Sequence, residues 1–440
     1  MADFPTNLTS AQLNAMTDSE LDTLTADRLA LFTTVQLNGI SSGQLNGLAD
    51  SQLDGLQSLQ IRSLANTQFL GLTSAQLGSF EDVQLNGLSS EQLLALGDVQ
   101  LNGITAAQYA ALAATQLNGL TSAQINAMAD TQLISMSSAQ LRSLAGTQLY
   151  GLHSAQLSGW GDVLWNGLTA SQLKLFSDEQ LNGLTSSQLA GWATTQWDGL
   201  TSLQLGNLAN SQLQGLSSLQ VKNLAASQLD GMASLQMQNL TGQQLDGMSA
   251  GQWKSLATTQ WDGVTSDQMS ALADSQWDGI TSLQLAALAD SQLDGLTSSQ
   301  WKGLANTQLN GMGSAVLAAL ADSQLDGFTS GQLQALADSQ LAGVAAGQWG
   351  GLSATQLNGL TAQQLQGLLV TQWDGLRAEQ LMGLAGTQLD GLRSLQLQSI
   401  ASTQWDGLSS RQLSGLANTQ LDGVTAQQLT DLADSQLNGL

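Results

Sequence analysis

The chain has 440 residues, with 46 glycines, one proline, no cysteine and only 10% charged residues. Ten basic residues face 34 acidic ones, for a net charge of −24. That balance repels phosphate backbones and anionic membrane surfaces, so nucleic acid is not an expected partner. The absence of cysteine excludes disulfides, thiolate metal sites and cysteine nucleophiles, while a hydrophobic share of 42% can support a buried core.

The first eight residues, MADFPTNL, stand apart from everything that follows. They show no basic and apolar run of the kind that marks a signal peptide, and residues 1–8 read as an atypical half-repeat and candidate cap. From residue 9 to residue 440 one pattern continues, with no linker or domain boundary expected. Octads of consensus T-S-x-Q-L-x-G-L follow each other without insertion. Gln holds the fourth position in 50 of the 54 octads after the first, the exceptions being Glu20, Arg28, Leu164 and Val316. Positions five and eight are always apolar. Alternate octads differ, so the full unit is sixteen residues, T-S-x-Q-L-x-x-L-A-D-S-Q-L-D-G-L, repeated 27 times. Gly occupies the fifteenth position except at Thr23 and Ser135. No apolar run approaches the ~18 residues of a membrane span. The last octad is a standard one, which suggests a longer native array or an end that stacks on another molecule.

Apolar positions 5, 8, 9 and 13 of the unit follow helical spacing and predict one amphipathic face. Leu, Ala, Gln and Met favour helix, and Val and Ile are scarce. Thr or Ser at position one with Gln at four predicts a capping box, as at Thr73 with Gln76 and Thr121 with Gln124. Gly87 and Gly295 read as left-handed helix stops. A-D-S-Q at the middle of the unit favours splitting it into two short helices. No such helix can bury its stripe alone, so stacked copies are required. The expected fold is all-α, a solenoid of sixteen-residue (two-octad) short-helix repeats. The alternative is a parallel β-solenoid with sixteen residues per coil, for which Asp-Gly and Asn-Gly turns speak and the eleven tryptophans in apolar slots do not.

Catalytic signatures are missing. There is no G-x-S-x-G elbow with a His partner and no nucleotide-binding glycine loop. His153 is the only histidine, and with no carboxylate near it in sequence it reads as a surface substitution in a capping slot. The tryptophans read as core filling, with an aromatic sugar-binding row as the other reading. Asp50 and Asp54, Asp274 and Asp278, Asp290 and Asp294, and Asp322 and Asp326 lie four apart. If units stacked in register, these carboxylates would form rows able to hold calcium, although Asn replaces Asp freely at Asn38, Asn86, Asn118 and Asn358. The fourth-position Gln reads as a cap or an inter-unit hydrogen-bond ladder.

The octads T-S-A-Q-L-N-G-L and A-D-S-Q-L-D-G-L resemble those of very large bacterial secreted or surface repeat proteins, described as adhesin-like or haem-utilisation proteins. The resemblance implies an acidic, extracellular or cell-surface protein. A haem role finds no support in a chain with one histidine and tyrosine only at Tyr109 and Tyr150. The eight- and sixteen-residue periods also look like those of bacterial ice-nucleation proteins, whose Tyr and paired Thr rows are missing here. The expected function is therefore an extracellular structural repeat protein, a rod or self-assembling filament subunit without catalytic activity or bound cofactor. An adhesin stalk or ice- or glycan-binding surface protein is the second reading, and a calcium-rigidified spacer the third. The expected partners are other copies of the chain, with cell-surface or glycan contact under the second reading.

Overall fold

The computed structural model describes residues 7–438, so most of the candidate cap 1–8 lies outside the described residues. Fifty-four helices of four to six residues follow each other at octad spacing, and no strand occurs among the described residues. The fold is thus a helical solenoid and the β alternative falls away. The chain divides into two compact units, Met1–Leu216 and Ser217–Leu440, built on the same octad.

Each sixteen-residue unit does split in two. Ser58–Ser63 and Asn66–Phe69 form successive helices of six and four residues. Between them Leu64 is extended, with φ −63° and ψ 136°. This corrects the single apolar stripe expected over positions 5, 8, 9 and 13. The ninth-position Ala is an exposed, extended N-cap, as at Ala49 and Ala65. The core is made by the fifth residue of each octad, on the helix, and by the eighth, in the corner that follows. Leu53 and Leu56, or Leu293 and Leu296, are both buried in this way.

Stacking has a different period from the sequence. Ser10–Asn14 packs against Thr34–Leu37, and Ser58–Ser63 against Asp82–Leu85. Within each unit a helix thus meets the helix three further on, so three octads, or 24 residues, make one coil. The stacking module is the 24-residue coil, not the sixteen-residue unit. Because three is odd, each octad type lies on the other, and the two types alternate along each side.

The fourth-position Gln ties the coils together. Gln76 Oε1 accepts the N–H of Thr73 at 2.8 Å, while Nε2 donates to the carbonyls of Leu45 at 3.0 Å and Leu48 at 2.8 Å. Gln260 does the same with the N–H of Ala257 at 2.9 Å and the carbonyls of Leu229 at 2.7 Å and Met232 at 2.8 Å. These side chains are buried, and each satisfies a helix N-cap and two corner carbonyls at once. Both readings of the slot, cap and ladder, hold together. Gln36, bonded to Leu8 O at 2.6 Å, is the first to reach an earlier coil. Glu20 and Arg28 stand in the fourth position of two earlier octads. Glu20 still caps: its carboxylate accepts from Thr17 N at 2.8 Å, and the Thr17 backbone and hydroxyl hold its pKa below the usual carboxylate range. At Leu164 and Val316 the bridge is absent, and Gly161 and Gly313 stand in the N-cap positions without a side-chain cap.

The glycines do not act as left-handed stops. No described residue has a positive φ. A Cβ on Gly87 would lie 2.1 Å from Ser58 O, and one on Gly295 would lie 2.2 Å from Ser266 O. Gly is demanded by the approach of one coil to the first helical residue of the coil before it. In the other octad type the seventh position is open: nothing lies within 4 Å of a Cβ on Gly47 or Gly303, and Ser, Ala or Asn fills that slot elsewhere.

Two outcomes follow from this geometry. Gln260→Leu strands the Ala257 N–H and the Met232 carbonyl, while Leu229 O keeps the Met232 N–H at 2.9 Å, so it is expected to cost about 2–4 kcal/mol and to speed hydrogen exchange at the Ala257 amide. Unchanged exchange there would show that the bridge is dispensable. Gly295→Ala is expected to lower the melting temperature through overpacking, whereas Gly303→Ala, at the end of the helix Ser298–Gly303, is expected to gain about 0.5–1 kcal/mol. Calorimetry on the pair separates close approach from backbone freedom.

Candidate functional site

The tryptophans lie in the core, as the first of their two readings required. Trp165, Trp197, Trp253, Trp261, Trp277, Trp301, Trp349, Trp373 and Trp405 are all under 2% exposed. In the second unit Trp253 and Trp261 stand 4.8 Å apart between ring centroids, and Trp261 and Trp277 stand 6.1 Å apart. In the first unit Trp160 and Trp165 are 5.3 Å apart. None of these indole rings is available to a sugar. Trp349 Nε1 donates to Val344 O at 3.2 Å, whereas the indole N–H groups of Trp253, Trp261 and Trp277 are buried without a partner. Tyr109 fills the same slot, its hydroxyl 3.3 Å from Leu101 O, and burial pushes its phenol far above the usual range.

The aspartates are exposed and straddle the shorter helices. Asp50 opens the helix Asp50–Leu53 and Asp54 is its C-cap, and the same holds for Asp274 with Asp278, Asp290 with Asp294, and Asp322 with Asp326. The rows of carboxylates expected from in-register stacking do not form, because a coil of 24 residues places the other octad type above and below each Asp. At 24-residue intervals Asp50 is flanked by Ala26 and Ser74, and Asp290 by Ser266 and Ser314. Asp54 falls between Ala30 and Gly78, and Asp294 between Ser270 and Ala318. Asp274 instead accepts from the Ser299 hydroxyl at 3.0 Å. Among the described residues no group of three or more His, Asp or Glu converges on a point where a metal ion could sit. In the second unit Asp230, Lys254, Asp278, Lys302 and Asp326 succeed each other at 24-residue intervals, so opposite charges alternate along one side.

Surface grooves recur at the corner where an N-G-L tail meets a T-S head. One is lined by Asn86, Leu88, Ser89, Ser90 and Thr115 with Arg62, and another by Asn358, Leu360, Thr361, Ala362 and Thr387 with Gln334. These are the same octad positions in different coils. A third groove, of about 270 Å³, occupies the same positions but is lined by Tyr150, Leu152, His153, Ser154 and Glu179 with Asn126. Here all three usual polar residues are replaced: Asp or Asn by Tyr150, Thr or Ser by His153, and Thr or Ser by Glu179. His153 caps its helix, with Nδ1 accepting from Gln156 N at 3.3 Å, so the other nitrogen, Nε2, carries the proton. Glu179 lies in the first turn of Asp178–Asn182. The reading of His153 as remote from any carboxylate is corrected: Glu179, 26 residues on, shares its groove. The signal lay in the sequence as three departures from consensus, but it is visible only when the chain is wound in threes.

No protein family and no curated protein matches this sequence. A solved structure titled "Structure of APUM23-GGAAUUGACGG" aligns over 96% of this chain and 87% of its own, at 13% identity and a TM-score of 0.13. That likeness is too slight to carry an inference. No helix among the described residues is long and apolar enough to cross a membrane.

The partnered and unpartnered indoles make an internal control. Trp261→Phe removes a stranded N–H, whereas Trp349→Phe removes a hydrogen bond, Val344 O keeping only the one it accepts from Gln372 Nε2 at 2.6 Å. Trp349→Phe is therefore expected to cost about 1 kcal/mol more than Trp261→Phe, measured by urea denaturation. The opposite order would mean that ring packing, not the N–H, decides the cost.

Proposed function

We propose that this chain is a structural scaffold, extracellular or at a cell surface, that associates laterally with copies of itself and has no catalytic role. The observation that carries the reading is the Gln bridge. In octad after octad the one buried polar side chain is consumed by its own helix cap and by the coil before it, as Gln76 and Gln260 are. Polar groups spent in this way hold the solenoid together and are not available to a substrate. Repeat stacks of this kind draw their stability from neighbour on neighbour, which suits bearing load or setting a spacing.

Lateral association is supported by a row of exposed apolar residues in the first unit. Val35, Leu59 and Val83 are 70%, 71% and 68% exposed. They lie at 24-residue intervals and so fall on one side of successive coils. A row of exposed apolar side chains on a chain of net charge −24 is a surface that association would cover. The extracellular setting rests on the resemblance to secreted repeat proteins.

Sedimentation velocity over a hundredfold concentration range is expected to show reversible growth in size. Val35→Lys, Leu59→Lys and Val83→Lys together are expected to abolish it without lowering the melting temperature, since all three side chains are already in solvent. A single species at every concentration would end the self-association reading.

A further inference from the structure

We propose that the groove formed by Asn126, Tyr150, His153, Ser154, Ser177 and Glu179 is a binding site for one saccharide ring. This goes beyond the scaffold reading and does not depend on it. The repeat supplies its own controls. In two register-equivalent grooves the three lining slots hold Asn86, Ser89 and Thr115, and Asn358, Thr361 and Thr387. Only in this one do they hold an aromatic ring, an imidazole and a carboxylate. His153 is the only histidine of the chain. Tyr150 is 52% exposed, while the other tyrosine, Tyr109, is in the core. Glu179 is the only charged residue in the third position of the alternate octads that carry A-D-S-Q. Three such departures meeting in one groove, while the Gln156 and Gln180 caps beneath stay intact, mark a local change of chemistry on an unchanged scaffold.

The chemistry of the lining selects the ligand. The Tyr150 ring offers an apolar face to the C–H side of a pyranose, and its hydroxyl offers a polar edge. The Glu179 carboxylate accepts from ring hydroxyls, in charge-assisted bonds stronger than neutral ones. His153 Nε2–H and the Asn126 amide donate to sugar oxygens, and the hydroxyls of Ser154 and Ser177 do either. A volume of about 270 Å³ is below the ~300–1,000 Å³ of drug-sized sites, which suits one ring rather than a long chain. A metal is disfavoured, because one imidazole and one carboxylate fall short of the three or four protein ligands zinc takes.

The test uses the full chain on an array of immobilised mono- and oligosaccharides, followed by calorimetric titration with the free monosaccharide that corresponds to the strongest signal. The comparison variant is Tyr150→Asn with His153→Thr and Glu179→Thr, which gives the lining of the groove at Asn358, Thr361 and Thr387. Wild type is expected to bind, and the variant to bind at least tenfold more weakly with no loss in melting temperature. Binding on the array without binding of the free sugar assigns the site to a glycan terminus; binding of both assigns it to the ring alone. No saccharide bound by wild type, or equal binding by the variant, overturns the proposal. So does zinc retained in equilibrium dialysis in a His153-dependent way without any saccharide bound. Should the triple variant melt early, Glu179→Gln at an exposed position takes its place, with the same expected loss.

Discussion

One hydrogen-bonded side chain holds this structure together. An octad has a single helical turn, which is far too short to persist in water, and the carbonyl of its eighth residue, such as Leu272 O, meets no backbone N–H. The buried Gln resolves both problems. Its oxygen takes the N–H that opens its own helix, and its nitrogen takes two carbonyls about thirty residues back, as Gln300 does with Met269 at 2.8 Å and Leu272 at 2.8 Å. Local and long-range order are therefore the same interaction. A shorter Asn could not span the distance, and a Leu could satisfy neither end. Where Leu164 and Val316 replace it, the helix loses its cap as well.

The second constraint is arithmetic. Two octad types alternate along the chain while three octads make a coil, so each type always lies on the other. That is why Gly is needed in every second octad and is optional in the rest. The seventh residue of one type presses on the backbone that opens the helix below, as Gly327 does on Ser298 at a Cβ distance of 2.1 Å. In the other type it faces open space. The same rule sets the surface. It keeps Asp apart from Asp along each side, and it places Lys254 and Lys302 between aspartates. A strongly acidic chain thereby avoids stacked like charges.

A frame this repetitive makes its exceptions informative. Many departures keep the character of their slot, such as Ile61 or Phe69 in the core. The groove at His153 is different, because three slots change together on two coils, and the change turns a neutral polar corner into one with an aromatic ring and a carboxylate. The scaffold and the groove are separable in function. One depends on what every octad shares, the other on what a single corner has lost and gained.

Much of this was legible in the sequence. The octad, its two alternating forms, helix in preference to strand, the Thr–Gln capping box and the burial of Leu and Trp all follow from local chemistry: hydroxyl caps, helix-forming side chains and apolar slots at fixed spacing act within a few residues and need no knowledge of neighbours. The coil of three did not follow. Nothing within sixteen residues says where the next layer falls, because that depends on the angle at each corner accumulated over three turns of chain. With that angle undetermined, Gly87 read as a left-handed stop when it is a close approach, Asp50 and Asp54 read as members of carboxylate rows that never form, and His153 read as solitary when Glu179 lies in its groove. The sequence by itself determined what each octad is; only the tertiary winding decided which octads meet, because the contacts that matter for site and surface join residues 24 to 31 apart.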